Sequence, residues 1–169
     1  GREESLSAPD VIPAGARYLS LALSFTGEGS ESNTKFENES QMIAMLLQYA
    51  EHPAVQAMCI GMYDVIFFEE ASQKVYRQFF EDLLTVNPEE GAVLWHCTQG
   101  KERAGCASAM LLAALGADRE LIMADFMLSK EYYDQITAQI KTETDAQRMV
   151  INTLISANPE IFEASLDKV

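Results

Sequence analysis

Apolar residues recur at helical spacing over most of the chain. In "SQKVYRQFFEDLLTV" the apolar positions are Val75, Tyr76, Phe79, Phe80, Leu83 and Leu84, an i, i+1, i+4, i+5 pattern that predicts an amphipathic helix with one apolar face. "NESQMIAMLLQYAEH" opens on Asn38, a good N-cap, with Gln41 three residues on, and its positions Ile43, Leu46, Leu47 and Tyr49 suit a helix. Pro53 interrupts, and a further helix is expected through "AVQAMCIGMYDVIFF". "AGCASAMLLAALG" predicts a helix closed by Gly116 at its C-cap. Three more helices are expected at 118–128, 130–140 and 143–157, with a short one near the C-terminus. Two runs break the helical period. "ARYLSLALSF" (16–25) alternates partly and "AVLWH" (92–96) is continuously apolar, and both have the pattern of buried strands. "TGEGSESNTKFENES" (26–40) has the composition of a long surface loop, and "NPEEG" that of a turn.

The 169 residues suit one domain, and the chain shows no repeat, low-complexity tract or linker. Residues 1–169 are therefore expected to form a single domain. A hydrophobic content of 48% against 22% charged is ample for a buried core and far from a disordered composition. There is no run of 18 apolar residues, so no membrane span is indicated, and no recognisable signal peptide, although the chain opens on Gly1. Cys59, Cys97 and Cys106 cannot all pair and show no CxxC spacing, which favours a reducing, cytoplasmic setting. The net charge of −14, from 26 acids against 12 bases, repels nucleic-acid backbones and anionic lipid surfaces. Against that balance, Lys101 and Arg103 stand together in one turn.

That turn is "HCTQGKERAG", residues 96–105, between an apolar run and an apolar helix. A short loop entering a helix can aim successive backbone N–H groups inward, and the helix N-terminus adds positive potential, so the loop is a nest for an anion. Arg103 at the helix start can fork two donors onto one tetrahedral anion. A thiol at the centre of such a nest is drawn toward thiolate, because N–H dipoles and a cation favour the charged form. Cys97 is thereby placed as a nucleophile beneath a bound phosphate. A nucleotide-binding Walker A loop would need Gly where Trp95 stands and Ser or Thr where Glu102 stands. A zinc site would need four ligands, and adjacent His96 and Cys97 do not readily both ligate. The bland alternative is a buried Cys beside a satisfied core His, with the bases on a solvated turn.

With these residues the chain resembles the Cys-X5-Arg protein tyrosine phosphatase superfamily. More narrowly, "HCTQGKERAG" is similar to the "HCTAGKDRTG" loop of bacterial atypical tyrosine-specific and lipid-active phosphatases. "YRQFFEDLL" before the loop and "LGADRELIMADFMLSKEYY" after it look like that family's flanking helices. "REESLSAPD" and "ARYLSLAL" look, more faintly, like its acidic turn and inner strand; the likeness is good from about residue 16 to 135 and weak after it. It implies an α/β fold, a short, central, mostly parallel sheet flanked by helices with a helix-rich C-terminal half. The family's upstream arginine-containing strand pair has no counterpart here, and the sheet is expected to lack strands for that reason.

The resemblance implies that Cys97 forms a phosphocysteine and that Arg103 grips the phosphoryl oxygens. The amides of Thr98, Gln99, Gly100 and Lys101 through Arg103 would complete the cradle. His96 orients the loop, Lys101 adds charge at the pocket rim, and Ala104 and Gly105 continue the binding segment. Two departures stand out. Glu102 replaces the family's loop Asp, the proposed general acid, and is one methylene longer; Asp64 is the alternative acid. Ala104 replaces a Thr or Ser whose hydroxyl bonds the cysteine sulfur, and its loss should slow hydrolysis of the intermediate. The expected activity is phosphomonoester hydrolysis, of phosphotyrosine in a protein or of a small phosphomonoester, with serine and phosphoinositide substrates left open. The rivals are a non-catalytic phosphate-recognition module and, more weakly, a sulfurtransferase or arsenate reductase. No metal or organic cofactor is implied, because the nest and Arg103 occupy the role that Mg²⁺ fills elsewhere.

Overall fold

The computed structural model of the protein describes residues 9–23, 39–89 and 91–169. Their regular structure is helical: α1 (Glu39–Gln48), α2 (Pro53–Phe68), α3 (Glu70–Leu84), α4 (Glu102–Ala114), α5 (Arg119–Thr137), α6 (Asp145–Leu154) and α7 (Pro159–Leu166). The expected α/β architecture with a central parallel sheet is corrected by this arrangement, for no strand occurs among the described residues. Residues 16–23 and 91–97 carry no regular structure. A strand exists through its ladder of partner hydrogen bonds, and an apolar run specifies burial without specifying that partner. Burial itself is incomplete in these runs: Leu19 is 44% exposed and Leu94 87%. Residues 24–38, including most of the expected surface loop and the N-cap Asn38, lie outside the described residues.

Local chemistry accounts for the helix boundaries. Pro53 is the first residue of α2 rather than a break, since its missing N–H has no partner to lose there, and His52 caps it by accepting from the Ala54 amide at 3.2 Å. Asp118 caps α5 through the Leu121 amide at 2.8 Å, Thr144 caps α6 through Gln147 at 3.2 Å, and Asn158 caps α7 through Ile161 at 3.3 Å. α5 runs unbroken where two helices were expected, because neither Pro nor Gly stands between Arg119 and Thr137. α4 begins two residues earlier than the apolar pattern, which puts Arg103 in its first turn.

α2 is apolar on more than one side and packs against α3, α4, α6 and α7, so it is the central helix. The main core lies around it. Phe126 of α5 stacks flat on Phe162 of α7, with centroids 3.7 Å apart, and Tyr63 of α2 meets both edge-on at 5.8 and 5.3 Å. Burying each such ring stabilises by about 1.5–3 kcal/mol, and the three together tie α2, α5 and α7 into one unit. A smaller cluster of Leu46, Val55, Cys59 and Val150 joins α1, α2 and α6. The N-terminal turn of α4 rests on α5 at Gly105, where an added Cβ would lie 3.6 Å from Phe126.

Candidate active site

The segment leading into the loop is pinned from two sides. The Trp95 indole N–H donates to Ser108 Oγ on α4 at 3.3 Å, and its ring stands edge-on to Phe79 of α3 at 5.5 Å. Cys97 follows, half-buried, whereas Cys59 and Cys106 are buried. Burial pushes the Cys59 thiol up and the Cys106 thiol far up, so both are poor thiolates at neutral pH. His96 is exposed; its Nδ1 lies 3.2 Å from the Cys97 carbonyl oxygen, a donor there when protonated, and its Nε2 lies 3.5 Å from Asp10.

The loop then bends through residues 98–101. Gly100 has φ +68°, a conformation that costs a side-chain-bearing residue about 1–2 kcal/mol. No atom lies within 4 Å of where its Cβ would be, so the angle and not the space calls for glycine. The loop closes on itself: Arg103 Nη2 donates to Thr98 Oγ1 at 2.9 Å across five residues. The loop thus links its two ends, the residue after Cys97 and the first turn of α4, through a side-chain hydrogen bond. Ala104 and Gly105, in the first turn of α4, line a cleft of about 400 Å³ with Trp95, Gly100, Asp125 and Phe126.

Lys101 faces inward and not toward a rim. It is fully buried, donates to the Ser156 carbonyl beyond α6, pairs with Glu102, and lies 5.3 Å from the Tyr133 ring centroid. Buried charges persist only when paired and hydrogen-bonded, and each of these contacts serves that end. Glu102 is itself buried, and burial raises its carboxyl above the ordinary range despite the opposing charge of Lys101. Asp64, on α2, is held differently. Burial acts most strongly and raises its pKa, but the 2.6 Å bond and charge of Lys168 together with a hydrogen bond from Ser165 outweigh it, and the carboxyl lies below its ordinary value. A proton donor needs the opposite shift.

Four residues that the sequence pattern did not single out support the loop. Tyr133 of α5 donates its hydroxyl to the Gln99 carbonyl at 2.8 Å. Ser156 donates to Asp134 Oδ1 at 2.6 Å, and Asp134 is also paired with Lys130. Burial tends to raise Asp134, yet these bonds from Lys130 and Ser156 prevail and lower it. The signal for Tyr133 was its spacing, seven residues or two turns beyond Phe126; Ser156 offered none. Among the described residues no three His, Cys, Asp or Glu side chains gather as metal ligands, and no helix is long and apolar enough to cross a membrane.

A Cys-X5-Arg turn at the head of a helix, closed by its own arginine, defines the class to which the comparisons also lead. A model described as the tyrosine phosphatase family matches residues 1–169, and the chain belongs to that family. It is similar to the triple specificity protein phosphatase PtpB of Mycobacterium tuberculosis, 44% identical over 48 residues, or 28% of this chain and 17% of that protein. It is similar also to a tyrosine-protein phosphatase of Nostoc commune, 33% identical over 63 residues, or 37% of this chain and 21% of the relative. The matched segments span about a fifth of the length of these relatives. No solved structure matches the chain.

Proposed function

We propose that the protein hydrolyses phosphomonoesters, phosphotyrosine in protein substrates foremost, through a phosphocysteine intermediate. The observation that carries this reading is the half-buried Cys97 immediately before a loop that closes on itself, with Arg103 bonded to Thr98 at the head of α4. The Cys97 thiolate attacks phosphorus, and the ester oxygen leaves with a proton. Glu102 supplies that proton, since its raised pKa keeps a protonated fraction at higher pH than an ordinary carboxyl would. Arg103 turns from Thr98 onto two phosphoryl oxygens and stabilises the charge that builds there. Water then cleaves the phosphorus–sulfur bond and frees inorganic phosphate and the thiolate. The names of the relatives, a triple specificity protein phosphatase and a tyrosine-protein phosphatase, favour protein substrates.

Ala104 favours a second reading, a module that holds phosphate with little turnover, because no hydroxyl at that position assists the departing sulfur. Cys97→Ser separates the two. Under the phosphatase reading the wild type turns over an aryl phosphate and the variant drops below about a thousandth of that rate, while both bind inorganic phosphate. A wild type that binds phosphate and turns over nothing establishes the recognition module instead.

A further inference from the structure

We propose that Tyr133 is a positioning residue for the reaction, setting the direction of a loop N–H that binds the phosphate; the inference rests on the phosphatase reading. Tyr133 touches the loop twice: its hydroxyl bonds the Gln99 carbonyl at 2.8 Å, and its ring lies under the Lys101 ammonium at 5.3 Å. The peptide joining Gln99 to Gly100 is planar and trans, so its C=O and its N–H point in opposite directions. Holding the carbonyl toward α5 turns the Gly100 N–H away from α5. Gly100 is also the loop residue with positive φ, which, lacking a Cβ, rotates about its backbone more freely than its neighbours. Without an external hold this peptide can flip, and a flipped peptide would present a carbonyl to the anion in place of a donor. The next residue is held as well, because Lys101 donates to the Ser156 carbonyl and Ser156 in turn bonds Asp134, the neighbour of Tyr133. α5 is therefore a bracket outside the loop. Phe126, packed against the first turn of α4, fixes the spacing from which Tyr133 reaches Gln99 two turns later.

The test is Tyr133→Phe, which deletes only the hydroxyl and keeps the ring beneath Lys101. Turnover of an aryl phosphate and competitive inhibition by inorganic phosphate are measured for both proteins, with the thermal midpoint of each. The expected result is a three- to tenfold loss in kcat/KM, roughly what one neutral hydrogen bond supplies. The inhibition constant for inorganic phosphate should rise by a similar factor, with the midpoint little changed. Tyr133→Leu, lacking the ring too, should lose more, with phenylalanine ranking between it and the wild type. A phenylalanine variant that equals an active wild type in both constants overturns the positioning role and leaves the phosphatase reading standing. A phenylalanine variant that loses activity only in proportion to lost folded protein, with an unchanged inhibition constant, also overturns it. A wild type that neither binds phosphate nor turns over the ester overturns both.

Discussion

Lys101 and Glu102 are neighbours in the chain and partners in the fold, and both are withdrawn from water. The two side chains respond differently. Lys101 is surrounded by the Ser156 carbonyl, the Glu102 carboxyl and the Tyr133 ring, whereas burial leaves Glu102 with a raised pKa. A carboxyl whose folded pKa lies above its unfolded value, about 4.3 for Glu, is favoured by folding in its protonated form. That contribution is complete below the unfolded value and is lost as pH rises through the folded one. Glutamine does not titrate, so urea unfolding should show the stability difference moving in favour of Glu102→Gln as pH rises above the unfolded value. The same substitution tests proton donation. Hydrolysis of phosphotyrosine should fall by about a hundred- to ten-thousand-fold, with the basic limb of the pH–rate profile flattened. An aryl phosphate whose leaving group is a very weak base should lose far less, because it needs no proton to depart. Equal losses on both esters would remove Glu102 from the acid role.

At the scale of the element, α4 begins at the candidate loop and ends in a stop that its sequence announces. Gly116 has φ +83°, and around it the Ala117 amide donates to Leu112 at 2.9 Å and the Gly116 amide to Ala113 at 3.0 Å, the paired bonds of a Schellman turn. Nothing lies within 4 Å of an added Cβ at Gly116, so a substitution there meets strain in the backbone alone. Gly116→Ala should cost about 1–2 kcal/mol in urea unfolding. The position is some four turns of helix from the loop, about 20 Å, and kcat should stay at the wild-type value. A kcat that falls with stability held would show that the far end of α4 communicates with the loop.

The molecule as a whole is bound by the aromatic contacts of α2, α5 and α7. Phe162 has no exposed surface and touches Phe126, Tyr63 and Phe67. Phe162→Ala leaves a cavity among three rings that cannot all move in, and should cost about 3–5 kcal/mol by chemical denaturation. A cost under about 1 kcal/mol would mean that the three helices close over the gap and that the stack is not what holds them. Two supports of the loop sit on or beside two of these helices, Tyr133 on α5 and Ser156 three residues before α7. Phosphate affinity should therefore fall in this variant before global unfolding sets in.

Much of the molecule follows from short-range chemistry and is legible in the chain. The stop at Gly116, the apolar face of α3 and the Cys97-to-Arg103 turn each depend on residues within a few positions of one another. Backbone angles and side-chain hydrogen bonds act over that range, so a linear pattern records them. The apolar runs at 16–23 and 92–96 show the limit: a strand needs a partner distant in sequence, and hydrophobicity does not name one. The inward turn of Lys101 was equally hidden, because a lysine in a loop goes to water unless a distant carbonyl and ring receive it. Tyr133 and Ser156, 32 and 55 positions beyond Lys101, receive it here. The sequence by itself determined the proposed nucleophile, the arginine and the spacing that joins them. Which carboxyl is raised, where the lysine points and which helix holds the loop were decided only by tertiary structure, since burial and pairing are properties of residues brought together from far along the chain.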